Sequence, residues 1–433
     1  MRIITVKFIT LGCKTNIYES EAMKQLFEER GYTVLNTGKA DICVINTCTV
    51  TGTGASKSLK MIRRARRENP SGILAVTGCL AQTEADRLKR EENIDVLIGT
   101  KGRKEIVNLC EEALKGIKAC SVGDILHDTE FEELGIVKTQ HRIRAEIKIE
   151  DGCNNFCSYC KIPYARGPVR SRRIENIEEE AAAIANAGFA ETVLTGIHIG
   201  SYGKDLDNGL TLIDVIEAVS RAAGGMRIRL GSLEPVMITE EFTERASRIG
   251  GLCPQFHLSL QSGCDKTLRA MRRHYTTEDF KQAVKNLRGA FKDAAITTDL
   301  IVGFPGETKE DFEESRKFCE EIGFAQMHIF PYSVREGTAA ALLPDRVEEG
   351  EKSRRTHIML DAASKMKKSF CEGFMGETAE VLFEQEKNGL WSGMTKNYTE
   401  VRMASGEDLR GKMKDVRLIG YDCDGEYIKG EKN

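Results

Sequence analysis

Short apolar runs alternate with longer amphipathic stretches along most of this chain, and that alternation leaves few folds open. Runs at 3–9, 42–45, 73–76 and 96–98 read as buried strands, and 18–30 reads as a helix with Ala22, Leu26 and Phe27 on its apolar face. Alternation of this kind builds a parallel sheet covered by helices. It resumes with longer units from Thr139 to about Arg335, with strands at 192–194, 227–230, 255–260, 296–302 and 326–329. Helices at 177–187, 212–223, 277–288 and 309–322 separate them, the first ending at Gly188, a usual C-terminal stop. With the run 144–150 these make six strand–helix units, as in a partial (β/α) barrel whose chemistry collects at the carboxyl ends of its strands. A long helix at 348–373 follows. Five short strands then close the chain, at 379–383, 390–394, 399–403, 413–418 and 426–428, the pattern of a small OB-type barrel. The expected fold is α/β in three parts: an open parallel α/β domain over 1–130, a partial (β/α)6 barrel domain over 139–370 and a small β-barrel over 371–433. The weakly periodic segment 128–138 is expected to be a linker.

The cysteines fall at telling places in this frame. Cys153-Asn-Asn-Phe-Cys157-Ser-Tyr-Cys160 directly follows the strand-like run 144–150. Three thiolates from one tight loop can ligate three irons of a [4Fe–4S] cubane and leave the fourth open to a substrate or cofactor. Zinc sites instead take four protein ligands in paired Cys-x2-4-Cys units, and no paired fourth ligand follows nearby. Cys13, Cys48 and Cys79 each lie just past a strand of the N-terminal part, where an open parallel sheet presents its ligand site. Three adjacent strand ends could gather these thiolates into a second cluster, with Gly12 and Gly78 allowing close backbone approach. Cys43 lies within a strand and reads as core. Cys110, Cys120, Cys253, Cys264, Cys319, Cys371 and Cys423 show no ligand spacing and read as structural. Fourteen cysteines with no signal sequence point to metal or redox chemistry rather than disulfides. The absence of an apolar run of about 18 residues argues for a cytoplasmic protein with no membrane partner.

Other features speak more softly. The net charge of −3 confines any nucleic-acid affinity to local patches. Two basic groups qualify: the helical segment from Lys57 to Arg67, readable as a solvated face or a phosphate contact, and Arg166 to Arg173. Trp391, Tyr398 and Tyr421 of the last barrel suit either base stacking or core packing. His198 and His257, lone histidines near strand ends, read as structural residues rather than catalysts.

Together these motifs resemble a known family. The cluster loop with Lys161-Ile-Pro-Tyr-Ala-Arg166-Gly is similar to the signature of radical S-adenosylmethionine (SAM) enzymes. Gly-Cys13-Lys-Thr-Asn, Asn-Thr-Cys48 and Gly-Cys79-Leu-Ala-Gln resemble the methylthiotransferase branch of that superfamily, and the last barrel resembles its TRAM domain. Within the branch, Gly-Cys13-Lys-Thr-Asn16-Ile-Tyr18-Glu19-Ser20, Leu194-Thr195-Gly196-Ile197-His198 and the stretch Leu258 to Asp265 look most like the enzymes acting on threonylcarbamoyladenosine in tRNA. Thr15 and the acidic balance of the tail depart from the branch's pattern.

The resemblance implies two [4Fe–4S] clusters and SAM. Cys153, Cys157 and Cys160 would hold the radical-generating cluster, and Cys13, Cys48 and Cys79 an auxiliary one that presents sulfur. Tyr159, Gln261 and Val302 would position the adenosyl portion of SAM. The implied partners are the tRNA anticodon stem-loop, a reductant and a sulfur donor. The implied reaction is methylthiolation at carbon 2 of the adenosine just 3′ of the anticodon. Isopentenyladenosine or a ribosomal-protein aspartate is the alternative target. A zinc-containing RNA-binding protein without catalysis is the rival from a different class.

Overall fold

The computed structural model describes residues 3–135 and 143–432. The N-terminal part is a six-stranded parallel sheet in the spatial order Thr33–Leu35, Thr5–Thr10, Ile42–Thr47, Ile73–Gly78, Val96–Ile98 and Ala119–Ser121. The two strands absent from the sequence reading, Thr33–Leu35 and Ala119–Ser121, are three-residue edge strands with no fully buried position. Period-2 alternation cannot register over three residues. In this order the strand Thr5–Thr10 lies between strands that follow it in the chain, and Cys13, Cys48 and Cys79 follow three adjacent strands.

Six parallel strands form the central part: Arg144–Lys148, Glu191–Thr195, Arg227–Leu230, Gln255–His257, Ala295–Val302 and Gln326–Pro331. They divide into two three-stranded sheets, joined through the bridges Ile228↔Leu252 and Leu233↔Leu258. Alternation sets the two faces. Ala145, Ile147 and Ile149 enter the main apolar core beneath the helices Ile174–Asn186 and Leu212–Ala222. Arg144, Glu146, Lys148 and Glu150 point the other way, into the barrel.

The last part is a closed five-stranded barrel of Thr378–Lys387, Leu390–Thr395, Glu400–Ala404, Tyr427–Lys432 and Met413–Asp422 in spatial order. Trp391 is packed in its core, and Tyr421 lies against that core. Tyr398 instead stacks on the guanidinium groups of Arg229 and Arg144, 4.6 and 5.5 Å from the ring centre. Arg227 donates to the Glu380 carbonyl and carboxylate at 2.8 Å, and Arg229 to the Thr395 and Lys396 carbonyls at 2.8 Å. The barrel is thereby clamped against the amino ends of the central strands.

The expected linker is no loose tether where it is described. Glu133 pairs with the buried Arg172, Glu132 with the buried Arg103, and Leu134 packs on Tyr18 and Ala22. Positions 136–138 of that segment, and Thr139 at the start of the expected barrel domain, lie outside the described residues. Among the described residues no helix is long and apolar enough to cross a membrane.

Candidate active site at two facing cysteine triads

The loop carrying Cys153, Cys157 and Cys160 leaves the first barrel strand through the short hairpin Glu150–Asp151 with Arg170–Ser171. Gly152 turns the chain at φ +89°, and a side-chain carbon there would lie 1.8 Å from the Pro168 carbonyl oxygen. The loop is tied down at both ends: Cys153 N–H donates to the Gly167 carbonyl at 3.0 Å and Ser158 N–H to the Met271 carbonyl at 3.0 Å. Burial pushes the Cys153 and Cys160 thiols up to about 12, and each is raised further by the neighbouring cysteines of the loop.

The second triad is assembled by the sheet. Cys13 caps the helix Lys14–Glu29, Cys48 follows Ile42–Thr47, and Cys79 opens the short helix after Ile73–Gly78. Neighbouring strands lie about 4.8 Å apart, so the three positions step along one sheet edge at that spacing. Cys79 and Cys48 are buried, and the Cys79 thiol, pushed up to about 11 by burial, feels both Cys13 and Cys48. The backbone crowds this edge: a side-chain carbon on Gly78 would meet the Thr47 carbonyl at 2.5 Å, and one on Gly54 would lie 3.5 Å from the Cys48 sulfur.

These residues suit iron–sulfur clusters. Burial raises the Cys48, Cys79, Cys153 and Cys160 thiols, and thiols held neutral by burial are the kind that metal binding ionises. Among the described residues no three His, Cys, Asp or Glu side chains converge on a point able to hold a single metal ion.

Polar side chains link the triads. Arg166, fully buried, donates Nε to the Cys79 sulfur at 3.3 Å, Nη2 to Asn16 at 2.7 Å and Glu19 at 3.1 Å, and Nη1 to Asp151 at 3.2 Å. Glu19 lies 2.8 Å from Lys148 and 3.1 Å from Arg103. Burial works against its charge, but these three cations hold the carboxyl down to about 2. Arg166, Arg170 and Arg172 are thus buried structural cations, and the second basic group is no surface patch. In the helix Gly52–Glu68, Arg63, Arg64 and Arg66 pair with Glu92, Glu68 and Asp95, while Lys57, Lys60 and Arg67 are exposed.

A second chain of contacts ends on the radical-loop triad. Arg273 donates Nη1 to the Cys157 sulfur at 3.1 Å and Nη2 to Glu234 at 2.7 Å. Glu234 also accepts from Asn155 at 2.8 Å and lies 3.2 Å from His198 Nε2, whose Nδ1 is 2.7 Å from the Ser201 hydroxyl. Burial opposes the Glu234 charge, yet His198 and Arg273 hold its carboxyl down to about 2. His257 contacts Thr297 at 3.1 Å and lies 3.5 Å from Asp299. Glu150 is different: burial raises its carboxyl to about 8, although one oxygen accepts from the Ile197 and His198 amides at 2.9 and 2.7 Å.

The three positions expected to face SAM sit in unlike surroundings. Tyr159 is half-buried, its ring edge-on to Phe304 at 6.5 Å. Gln261 lies four residues past the fourth barrel strand, bridged to Leu300, with φ +67°, the left-handed region that a non-glycine residue occupies only at a cost. Val302 is 1% exposed, its side chain within the main core. Asn155 stood inside the cluster loop and Arg166 in the stretch directly after it, whereas Arg273 and Glu234 had no local signature.

Two family models match the chain: the Radical SAM superfamily over residues 147–319, and Uncharacterized protein family UPF0004 over 5–99. The threonylcarbamoyladenosine tRNA methylthiotransferase MtaB of Bacillus subtilis is 39% identical over 98% of this chain and 96% of its own length. The tRNA-2-methylthio-N(6)-dimethylallyladenosine synthase of Pelotomaculum thermopropionicum is 34% identical over 96% of this chain and 95% of its own. Among solved structures, the radical SAM methyltransferase TsrM of Kitasatospora setae, with cobalamin and a [4Fe–4S] cluster bound, aligns with a TM-score of 0.61 over 79% of this chain and 77% of that one. At 14% identity that likeness is one of fold.

Proposed function

Because the chain belongs to the radical SAM tRNA methylthiotransferases, enzymes that use SAM and [4Fe–4S] clusters, we infer that it methylthiolates carbon 2 of threonylcarbamoyladenosine beside the anticodon of tRNA. The observation that carries the chemistry is the pair of cysteine triads, with Arg166 reaching Cys79 from the helix that follows the cluster loop. Similarity to the Bacillus subtilis protein along nearly the whole chain supports the choice of nucleoside.

An adenine C–H at carbon 2 offers no acidic hydrogen at neutral pH, so side-chain acids and bases alone cannot open it. When bound, the clusters and SAM supply one-electron chemistry and sulfur, the kind of step proteins delegate to cofactors. The chain does the rest. Cys153, Cys157 and Cys160 hold one cluster with an iron left open, and Cys13, Cys48 and Cys79 hold the other. Gln261 and Tyr159 orient the adenosyl portion from the strand ends. Val302 acts through the wall behind them, since its side chain is enclosed. A reductant and a sulfur donor complete the set of partners, with the anticodon stem-loop as the macromolecular substrate.

Mass spectrometry of tRNA nucleosides from cells with and without the protein tests the assignment. Loss of 2-methylthio-threonylcarbamoyladenosine alone is expected. Loss of the methylthio-isopentenyl nucleoside instead would overturn the substrate and move the protein to the sister activity, which the Pelotomaculum relative carries in its name.

A further inference from the structure

Each cysteine triad receives a hydrogen bond from one arginine, Arg166 fully buried and Arg273 half-buried, and the two are held differently. Arg273 reaches Cys157 from a separate part of the barrel and is paired with Glu234. Arg166 ends the short helix Ile162–Arg166 that directly follows the cluster loop, six residues past Cys160, yet its Nε lies 3.3 Å from Cys79 in the other triad. It is fully buried among Glu19, Asp151 and Asn16. Lys148 shares both carboxylates with it, Arg103 shares Glu19, and Arg170 lies 3.8 Å from Asp151.

A buried guanidinium needs its N–H groups satisfied, and the two carboxylates with Asn16 already occupy Nη1 and Nη2. The remaining Nε points at sulfur. Against a neutral thiol that contact is weak. Against a cluster-bound thiolate it becomes a charge-assisted bond of about twice the strength. Hydrogen bonds to ligand sulfurs and local charge are what set an iron–sulfur centre's reduction potential.

We propose that Arg166 is a positioning residue for the second triad: it fixes a positive charge on the Cys79 sulfur, sets the reduction potential of the auxiliary cluster, and does so from the short helix that follows the cluster loop. The inference rests on reading Cys13, Cys48 and Cys79 as cluster ligands. Adding an electron makes a cluster more negative, so a cation on its ligand stabilises the reduced form and raises the potential. Glu19, which neutralises Arg166, works in the opposite sense. The pair therefore predicts two shifts of opposite sign on one cluster.

The test is a redox titration of the reconstituted full chain, followed by electron paramagnetic resonance. Arg166→Gln should lower the auxiliary potential, a roughly tenfold loss of reduced form at fixed ambient potential or about 59 mV for one electron, and leave the radical cluster unmoved. Arg166→Lys should recover part of the shift, because it keeps the charge and loses the planar fork. Glu19→Gln should raise the auxiliary potential. Arg273→Gln should lower the radical cluster's potential alone. If Arg166→Gln fails to load iron, the sign of the Glu19→Gln shift decides. Auxiliary potentials that stay fixed, or move the same way in Arg166→Gln and Glu19→Gln, would overturn the proposal and leave Arg166 a structural residue. Failure of the underlying reading has its own signature: about four irons per wild-type chain instead of eight.

Discussion

The two triads reach comparable ends by opposite routes. Cys153, Cys157 and Cys160 lie within eight consecutive residues and owe their grouping to a short loop pinned at Gly152, Ser158 and the Glu150–Asp151 hairpin. Cys13, Cys48 and Cys79 are separated by thirty residues or more and meet only because three strands stand side by side. The first triad is a property of local chain geometry, the second of sheet topology. Damage to the sheet should therefore scatter the second triad and spare the first.

Removing a ligand from each triad breaks the comparison most sharply. Cys157→Ala is expected to abolish SAM cleavage, measured as 5′-deoxyadenosine release, while about four irons remain on the other triad. Retained cleavage would deny the loop its role. Cys48→Ala should do the reverse in part, keeping measurable cleavage while the methylthio product in tRNA disappears. Product formation by that variant would mean the second triad is dispensable.

Smaller changes probe what shapes each triad. Gly152→Ala forces a carbon to 1.8 Å from the Pro168 carbonyl, so it should cost more than the ~1–2 kcal/mol of a left-handed residue alone. Gly78→Ala forces one to 2.5 Å from the Thr47 carbonyl at the edge that groups the other cysteines. Iron analysis beside thermal melts should find radical-loop loading reduced first in Gly152→Ala and auxiliary loading reduced first in Gly78→Ala. Equal loss from both triads in each variant would merge them into one folding unit.

The gentlest probe is pH. Glu150 sits beside the radical loop with a folded value of about 8, above its ordinary 4.5. The native protein thus keeps a proton that the unfolded chain gives up. This stabilisation is whole below about pH 4.5 and lost as pH rises through about 8. The loss runs at about 1.4 kcal/mol for each pH unit over which the two states differ by a proton. Glu19, beside the second triad, is held down to about 2, so its contribution is lost toward acid. Chemical denaturation from pH 5 to 9 should show a falling stability in the wild type and a flatter profile in Glu150→Gln. An unchanged slope in that variant would place the titration elsewhere.

What could be read ahead of the structure follows the same division between local and distant. The grouping of Cys153, Cys157 and Cys160 was legible because they are neighbours in sequence, and the placing of Cys13, Cys48 and Cys79 at adjacent strand ends because each directly follows an apolar run. The fold class was legible from strand–helix alternation. Thr33–Leu35 and Ala119–Ser121 escaped because three-residue edge strands carry no pattern. Arg273 was hidden in the pair Arg272-Arg273, which has the look of surface charge, and its partner Glu234 is thirty-nine residues away. The second basic group at 166–173 is mostly turned inward, Arg166 and Arg172 being buried against Glu19, Asp151, Glu133 and Glu180. His198, read as structural, contacts Glu234 and through it Arg273, which a lone histidine in a sequence cannot announce.

The clamp between Arg227, Arg229 and the C-terminal barrel also fixes a measure of length. That barrel grips the amino ends of the central strands, whereas the radical loop leaves the carboxyl end of Arg144–Lys148. Five residues of strand rise about 17 Å, so the barrel's contacts and the cysteine loop stand at least that far apart, at opposite ends of one strand. Because Arg227 and Arg229 hold backbone carbonyls of the barrel, that separation is a rigid spacing built into the fold rather than the reach of a flexible tether.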